Sequence, residues 1–502
     1  MSEQYHSLAI SWEITRKRRK RFRNVPAGST ACAGSSSPED LSIADPLSLT
    51  LAEVSALLRE RRLSPVQLAK SCLERIEKLN PVLNAFITIT AEEALAQAEQ
   101  AEKELAAGRP RSPLHGVPIA LKDNIDTAGV RTTAGSAVYE ERVPEADAWV
   151  VTRLKEAGAV ILGKLNMHEF AYGTTSVISR FGPVRNPWHP DYISGGSSGG
   201  SAAAVSSGMV FGALGTDTGG SIRLPAACCG VVGFKPTYGL VGIRGIVPLA
   251  LSYDHAGPLC RTVEDAALFL SVIAGYDALD PTSVPAPALS PVPASAPVSA
   301  SAPASAPTSV PARVGIVSNL TALAAEEIKE RVEEAGEVFR AAGSGVRHIE
   351  LPALPPLAAD VMRAEVYALH QPYLEEAAQL YDPRTLQRIM SGEHITAANY
   401  IRTRQEIGLV RRTIAGFFAE AGMDILLAPT TLQPPGLIAD GQMPTSLSTA
   451  CTFPFNVLGL PSISVPCGRA ADSGLPLGLQ IIGPPFGESM VIAAAACYEQ
   501  LA

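Results

Sequence analysis

The chain has 502 residues and a net charge of −8 at pH 7, with 46% hydrophobic and 18% charged residues. This composition is typical of a globular protein with a sizeable core. The acidic balance argues against nucleic acid as a partner, because proteins that bind it normally carry a basic surface. The eight cysteines are scattered, and neither Cys nor His shows metal-ligand spacing. We therefore expect reduced thiols, no metal and no cofactor.

The sequence contains no apolar run of about 18 residues or more, so it predicts neither a transmembrane helix nor a membrane partner. The basic run Arg16–Arg21 precedes a stretch rich in Ser, Gly, Pro and Ala, where a secretory signal would need an apolar core. Residues 1–46 are therefore predicted to be a disordered basic and Ser-rich leader of a cytoplasmic protein. A basic run can also bind nucleic acid or an anionic surface, and that alternative stays open.

The first predicted helix begins at Ser64-Pro65. Serine is a favoured N-cap, and proline is favoured at the first helical position. Apolar residues then recur at helical spacing as far as Leu79. Asn80-Pro81 is predicted to end this helix.

Further helices and short apolar runs alternate along the chain. A helix is predicted to begin at Thr90, where Glu93 would complete a capping box, and to end at Gly108. Residues 327–342 carry apolar side chains on one helix face. The runs typical of buried strands are Val117–Leu121, Val160–Leu162, Phe211–Gly215, Val314–Val317, Ile425–Ala428, Ser462–Val465 and Leu479–Ile482. Strands separated by helices predict an α/β fold with a sheet covered on both sides.

Residues 281–312 have no charged residue and contain nine prolines. Such a segment cannot bury a core and is predicted to be a flexible Pro/Ala/Ser-rich insert. It could be a domain linker or a surface loop within one domain. We favour the loop, because motifs typical of one and the same protein family lie on both sides, at Arg261–Ala267 before the insert and at Phe453–Asn456 after it. The domain prediction is thus one domain over 47–502 that the insert interrupts.

Two clusters of glycine and serine indicate the chemistry of the chain. They span Gly195–Ser201 and Asp217–Ser221, so that Ser197 and Ser221 are 24 residues apart, and Lys122 ends an apolar run upstream. A serine becomes a good nucleophile only when a base takes its proton. Lysine can be that base if burial lowers its pKa by about 3 units from about 10.4. One lysine and two serines therefore suffice for acyl transfer without histidine.

The sequence around these residues resembles the amidase signature family, the Ser-Ser-Lys amide hydrolases. The resemblance rests on Pro113–Pro118 before the lysine, Gly182–Trp188 before the first cluster and Ser221–Ala226 through the second. It covers the predicted domain apart from the insert. It implies an α/β fold with α/β/α layers around one large mixed, twisted β-sheet.

The resemblance also implies a role for each site residue. Ser221 matches the nucleophile, Ser197 the bridging serine that follows a cis peptide bond in the family, and Lys122 the base that acts through Ser197. The backbone N–H groups implied to form the oxyanion hole belong to Thr218, Gly219, Gly220 and Ser221. The residues expected to support the site without reacting are Ser198, Asp217 and Arg223.

Two functions fit this site. The first is an amidase that hydrolyses a linear carboxylic amide to acid plus amine or ammonia. The second is the glutamine-hydrolysing component of a glutamyl-tRNA(Gln)/aspartyl-tRNA(Asn) amidotransferase complex. Glutamine-using members carry a carboxylate where this chain has Thr449, and tend to have glutamine where it has Leu224. Both differences favour a free-standing amidase with a small-molecule amide substrate. Aryl, aliphatic, amino-acid and urea-type amides all stay open, and the sequence leaves room for a homodimer.

Overall fold

The computed structural model describes residues 45–285, 310–438 and 448–502. The predicted leader lies outside the described residues except for its last two positions. Most of the predicted insert also lies outside them. The prediction of disorder in these two segments therefore stays a prediction.

The described ends of both segments make specific contacts. Asp45, which the prediction placed in the leader, caps the short 3-10 turn Pro46–Ser48 with its side chain. At the start of the insert, the Val284 N–H donates to the Gly239 carbonyl at 3.0 Å. The described residues Asp45 and Val284, which the predictions placed in the leader and in the insert, are therefore held by hydrogen bonds.

One mixed sheet of eleven strands forms the centre of the fold. The strands are β1 Phe86–Ile89, β2 Pro118–Lys122, β3 Val160–Leu165, β4 Gly212–Asp217, β5 Val232–Lys235, β6 His255–Cys260, β7 Arg313–Val317, β8 Gly345–Ile349, β9 Ile425–Pro429, β10 Ser462–Arg469 and β11 Pro476–Ile482. Their order is β1-β3-β2-β4-β6-β5-β10-β11-β9-β7-β8. The pairs β2–β3, β2–β4, β7–β8 and β7–β9 are parallel, and the other neighbours are antiparallel.

Helices cover this sheet, and the predicted α/β class with helical layers around one large mixed sheet is confirmed. The helices are α1 Leu51–Arg59, α2 Pro65–Leu83, α3 Ala91–Ala106, α4 Trp149–Glu156, α5 Gly199–Ser206, α6 Arg223–Cys229, α7 Val263–Ile273, α8 Ser318–Thr321, α9 Glu326–Ala341, α10 Ala358–Ala377, α11 Pro383–Met390, α12 Ala397–Ala421, α13 Phe453–Val457 and α14 Glu488–Leu501. Within the described ranges, none of them combines the length and apolar character that crossing a membrane requires.

All seven predicted strands are present, but β1, β5, β6 and β8 were not predicted. β6 shows why, because its sequence contains Gly257 and Pro258 and has no continuous apolar run. It is a strand because it pairs with β4 along its whole length. Such pairing depends on a distant segment of the chain and leaves no local sequence signal.

The predicted end of the first helix at Asn80-Pro81 is wrong. Helix α2 runs through Pro81 to Leu83 and ends at Asn84, which adopts a left-handed conformation. The Asn80 side chain accepts from the Phe86 N–H at 2.8 Å and donates to the Phe86 carbonyl at 3.2 Å. These two bonds tie the last turn of the helix to β1, and this contact compensates for the backbone bond that proline removes.

The predicted capping box at Thr90 is also wrong, although α3 begins there. The Thr90 side chain makes no capping bond. Its hydroxyl instead donates to the Ile161 carbonyl of β3 at 3.2 Å. A tertiary hydrogen bond has thus replaced the local one. The other end agrees better with the prediction, since Gly108 follows the helix with a positive φ of 71°.

The sheet brings the predicted site together at one edge. Strands β2 and β4 are parallel neighbours, so Lys122 and Asp217 at their carboxyl ends lie at the same edge. The first Gly/Ser cluster reaches this edge because the Gly200 N–H donates to the Asn166 carbonyl at 3.0 Å, just after β3. A Cβ at Gly200 would lie 2.3 Å from that carbonyl oxygen, so only glycine allows the approach.

Candidate active site

Lys122 lies fully buried at the end of β2, with 0% of its surface exposed. Its Nζ lies 2.7 Å from Ser197 Oγ and 2.7 Å from Thr216 Oγ1. Ser197 comes from the loop before α5, and Thr216 from β4. Lys122 and Ser197 are therefore in contact, and Thr216, which the sequence did not single out, completes the surroundings of the lysine.

Burial lowers the pKa of Lys122 to about 7, and the negative charges of Asp217 and Asp254 oppose this shift. A sizeable fraction of the side chain is thus neutral near pH 7. A neutral amine has a lone pair and can accept a proton from a serine. The environment of Lys122 meets the requirement that a lysine base must satisfy.

The main chain around Ser197 is held by several hydrogen bonds. The Gly196–Ser197 peptide bond is cis, as the family resemblance implies. The Ser197 carbonyl accepts from the His168 N–H and from the Ser176 hydroxyl, each at 3.1 Å. The Ser176 hydroxyl in turn accepts from the Gly199 N–H at 3.1 Å. These bonds fix the serine beside the buried lysine.

Ser221 lies next to this cluster with 6% of its surface exposed. Its carbonyl accepts from the Ser198 N–H at 3.2 Å, which joins the second Gly/Ser cluster to the first. The Ser198 hydroxyl donates to the Thr216 carbonyl, also at 3.2 Å. The Ser221 hydroxyl makes no hydrogen bond to any described residue. The structure thus joins Ser197 to the lysine and leaves the Ser221 hydroxyl unbonded.

Residues 218–221, called the oxyanion loop, present fewer available N–H groups than predicted. The Gly220 N–H donates to Asp217 Oδ1 at 2.7 Å, so it is already occupied. Within the described residues, the N–H groups of Thr218, Gly219 and Ser221 have no acceptor. Gly220 has a φ of 132°, and a Cβ there would lie 2.3 Å from Thr452 Oγ1. The shape of the loop therefore requires glycine at this position.

A buried ion pair supports the oxyanion loop from behind. Arg223 is 0% exposed, and its Nη2 lies 2.9 Å from Asp217 Oδ1. It also donates to Asn456 Oδ1 and Gln480 Oε1, each at 2.6 Å. Burial alone would raise the pKa of Asp217, but the Arg223 charge and its hydrogen bonds hold it well below its usual range. The Asp217 carboxylate therefore stays charged and continues to accept the hydrogen bond from the Gly220 N–H.

Sequence reasoning missed several residues that complete this site. They are His168, Ser176, Thr216, Asp254, Asn456 and Gln480. Thr216 directly precedes the second cluster, and its neighbours could have suggested it. Asn456 ends the run Phe-Pro-Phe-Asn, which entered the sequence interpretation only as family-like sequence. The other four had no local signal, because tertiary contacts alone bring them to the sheet edge.

Thr449 and Leu224, the two residues expected to distinguish this chain from glutamine-using family members, lie beside the oxyanion loop. The Thr449 methyl is 3.8 Å from the position that a Cβ on Gly219 would take. Leu224 is fully buried, and its Cδ1 lies 3.0 Å from the corresponding position on Gly220. Both side chains are therefore placed where they can affect the part of a substrate nearest the reacting carbonyl.

Metal and disulfide chemistry find no support in the part of the chain that the structure describes. No group of three His, Cys, Asp or Glu side chains in it could hold a metal ion. Its cysteines are free thiols, and most are buried.

A family model described as amidase matches residues 67–492. The chain belongs to the amidase family. The matched region contains Lys122 and both Gly/Ser clusters, and the predicted membership in the amidase signature family is confirmed. The prediction of an enzyme that hydrolyses the C–N bond of an amide is confirmed with it.

Several family members resemble the chain over nearly its whole length. One component of the glutamyl-tRNA(Gln) amidotransferase of Geobacter sp. (strain M21) is 38% identical over 90% of this chain and 97% of that protein. One solved structure matches with a TM-score of 0.82 and 32% identity, over 90% of this chain and 98% of that one. It comes from work on a vestigial protein complex that reveals the evolutionary origins of an s-triazine catabolic enzyme. The structure of the peptide amidase of Stenotrophomonas maltophilia matches with a TM-score of 0.75 and 32% identity, over 91% of this chain and 97% of that one.

Proposed function

We propose that this amidase family enzyme hydrolyses a carboxylic amide to an acid and an amine or ammonia through an acyl-enzyme on Ser221. The observation that carries the proposal is the fully buried Lys122, whose Nζ lies 2.7 Å from Ser197 Oγ. A lysine in this position has a pKa low enough for its neutral form to accept a proton near pH 7. It also contacts a serine that can pass a proton to it. Ser221 supplies the attacking hydroxyl, which makes no hydrogen bond to a described residue.

The proposed reaction begins when Ser221 Oγ attacks the carbonyl carbon of the amide. Its proton moves to Ser197, whose own proton moves to Lys122. The C–N bond then breaks, and the same path returns the proton to the leaving nitrogen. Water next attacks the acyl ester, and its proton moves along this path to Lys122. The bond between the acyl carbon and Ser221 Oγ then breaks, the proton returns to Ser221 Oγ, and the acid is released. The unbonded Ser221 hydroxyl is compatible with this path, because catalytic hydrogen bonds often tighten only when substrate binds.

The N–H groups of Thr218, Gly219 and Ser221 are the proposed donors to the oxyanion that forms during attack. All three lack an acceptor among the described residues. Preorganised donors of this kind are among the largest contributions to catalysis, and removing one typically lowers kcat by about 10²–10³-fold. The Gly220 N–H instead keeps the loop in shape through Asp217.

The pH dependence of activity tests the role of Lys122. Only the neutral lysine can accept a proton, and its pKa lies at about 7. We therefore expect kcat/KM for a neutral amide to rise with pH through about 7 and to level off above it. Below that pH it should fall about tenfold per unit, because the neutral fraction falls by that factor. The measurement is a pH profile of kcat/KM with a benzamide-type substrate.

Lys164 provides a matched control for this profile. It is also a fully buried lysine, and burial lowers its pKa to about 8. Its Nζ lies near the Ile125 carbonyl and Thr132 Oγ1, each at 2.6 Å, and the mechanism does not use it. The variant Lys164→Gln should keep the rise near pH 7, whereas Lys122→Ala should lose activity at every pH. A shift of the kcat/KM pH profile in Lys164→Gln would contradict the assignment of Lys122 as the base.

The surroundings of the oxyanion loop support a free-standing amidase. A substrate ammonium or polar amide would need charged or polar partners there. Thr449 and Leu224 offer at most one hydroxyl, since leucine is apolar. We propose that aryl or aliphatic amides are better substrates than glutamine for this reason.

A second candidate function is the glutaminase component of a tRNA-dependent amidotransferase. The sequence relatives favour it more directly than the first candidate, because one component of such an enzyme is 38–40% identical over 90% of this chain. In that case the ammonia released at Ser221 would serve a partner protein of the complex. The two candidates share the chemistry of the site and differ in substrate and in the need for a partner.

Purified alone, the protein should hydrolyse benzamide or butyramide faster than glutamine, without tRNA, ATP or a partner protein. Ammonia release measured with each substrate separates the two candidates. The variant Thr449→Asp should shift preference towards glutamine, since a carboxylate there can pair with the substrate ammonium. The neighbouring exposed Ser448→Asp is the control and should leave the preference unchanged. If glutamine were the only substrate hydrolysed, and only when a partner protein was added, the second candidate would be established.

A further inference from the structure

Asp254 joins the oxyanion loop to a neighbouring turn. It lies just before β6 and is 8% exposed. Its Oδ1 accepts from the Thr218 hydroxyl at 2.5 Å. Its Oδ2 accepts from the N–H groups of Leu249 and Ala250 at 2.9 and 3.0 Å. One carboxylate therefore links two segments that have no shared secondary structure.

The oxyanion loop has a different anchor at each end. Asp217 holds the Gly220 N–H and, at 3.1 Å, the Ile222 N–H, so it fixes the end that leads into α6. The hydroxyl of Thr218 has Asp254 as its hydrogen-bond partner at the other end. The Gly219 N–H, a proposed oxyanion donor, lies between the two anchors. Its direction therefore depends on both of them, and also on Thr452, whose hydroxyl donates to the Gly219 carbonyl at 2.5 Å.

We propose that Asp254 is a positioning residue for amide hydrolysis, whose carboxylate holds Thr218 and thereby aims the Gly219 N–H at the developing oxyanion. This inference rests on the proposed acyl-enzyme chemistry at Ser221. Asp254 acts through Thr218 and does not touch the reacting atoms. Loss of its contact should therefore lower kcat much more than it raises KM.

The charge of Asp254 has a second consequence for the same reaction. Burial raises the pKa of Asp254, and the negative charge of Glu365 on α10 adds to the rise. The hydrogen bonds from Thr218, Ala250 and Leu249 oppose it, and the resulting pKa is about 6. The ionised carboxylate favours the protonated form of Lys122 on β2. Removing this charge should therefore lower the lysine pKa and move the acid limb of kcat/KM to lower pH. The Tyr238 hydroxyl, the other titratable group influenced by Asp254, has a pKa of about 12 and does not titrate in this range.

Two variants separate positioning from charge. Asp254→Asn removes the charge and replaces one of the two accepting oxygens with an amide nitrogen, which cannot accept. We expect kcat to fall about 10²-fold, the loss typical of misplaced catalytic groups. The acid limb of kcat/KM should move to lower pH. Thr218→Val keeps the charge and removes the hydroxyl. It should lower kcat similarly while leaving the acid limb in place, and Thr218→Ser should restore most of kcat.

Asp265 on α7 gives a matched control. It is fully buried, burial raises its pKa to about 6, and it accepts from the Ala52 N–H at 3.0 Å, away from the oxyanion loop. The variant Asp265→Asn should lower the thermal unfolding temperature about as much as Asp254→Asn does. It should leave kcat and the acid limb of the folded enzyme unchanged.

The experiment compares kcat, KM, the pH profile and the unfolding temperature of these four variants with the wild type. A selective loss of kcat in Asp254→Asn and Thr218→Val, absent from Asp265→Asn, supports the inference. Wild-type kcat and an unmoved acid limb in Asp254→Asn would overturn it while leaving the proposed function intact. A wild-type protein that hydrolyses no amide and takes no fluorophosphonate label at Ser221 would instead overturn the proposed function, and the inference with it.

Discussion

Replacing Ser221 with alanine is expected to lower amide hydrolysis by roughly 10⁴–10⁶-fold, the range seen when a serine nucleophile is removed. The change deletes the attacking oxygen and leaves the lysine and bridging serine with no proton to move. Folding should be unaffected, because the hydroxyl makes no hydrogen bond to a described residue and its loss leaves no partner unsatisfied. Turnover and thermal unfolding of the purified variant measure the two effects.

A fluorophosphonate probe distinguishes the two serines of the site. It should label wild-type Ser221, as mapped by mass spectrometry of the digested protein, and should not label the Ser221→Ala variant. Ser271, an exposed serine of α7, gives the matched Ser→Ala control, in which labelling and turnover should stay at wild-type values. Labelling of Ser197 with surviving turnover in Ser221→Ala would show that the bridging serine is the nucleophile.

Replacing Asp217 with asparagine is expected to lower the free energy of unfolding by about 3–5 kcal/mol, as when one partner of a buried ion pair is removed. Arg223 would then keep its charge in a fully buried position with only neutral oxygens around it, those of the introduced amide, Asn456, Gln480 and the Thr452 carbonyl. Urea unfolding gives the change, as the shift in midpoint multiplied by the slope.

The Arg313–Asp424 pair provides the control for this prediction. Arg313 Nη2 and Asp424 Oδ1 lie 2.7 Å apart, and the two side chains are 57% and 18% exposed. Water and salt screen a pair with an exposed partner, so Asp424→Asn should shift the unfolding midpoint much less than Asp217→Asn does. Equal small shifts in the two variants would mean that the buried pair contributes no more than a surface contact, and that the oxyanion loop is held by other bonds.

The residues proposed for the chemistry could be selected from the sequence because local signals and a family resemblance mark them. Glycine-rich loops mark Ser197 and Ser221, and an apolar run that ends in Lys122 marks a buried lysine. The same reasoning found seven of the eleven strands. These features depend on residues within a few positions of one another, and their spacing alone predicts the local structure.

Tertiary structure alone decided what surrounds that chemistry. β6 is a strand because β4 pairs with it, and helix α2 continues through Pro81 because Asn80 bonds to Phe86. Asn456 reaches Asp217 from more than 200 positions away. Asp254 reaches Thr218 from 36 positions away.

The physical reason is that a buried polar group must find a hydrogen-bond partner wherever the fold provides one. Spacing along the chain says nothing about which distant residue that will be. The sequence by itself therefore determined the lysine, the two serines and the fold class. Packing of the sheet edge decided which N–H groups stay available, which carboxylates anchor the loop and how strongly the lysine is desolvated.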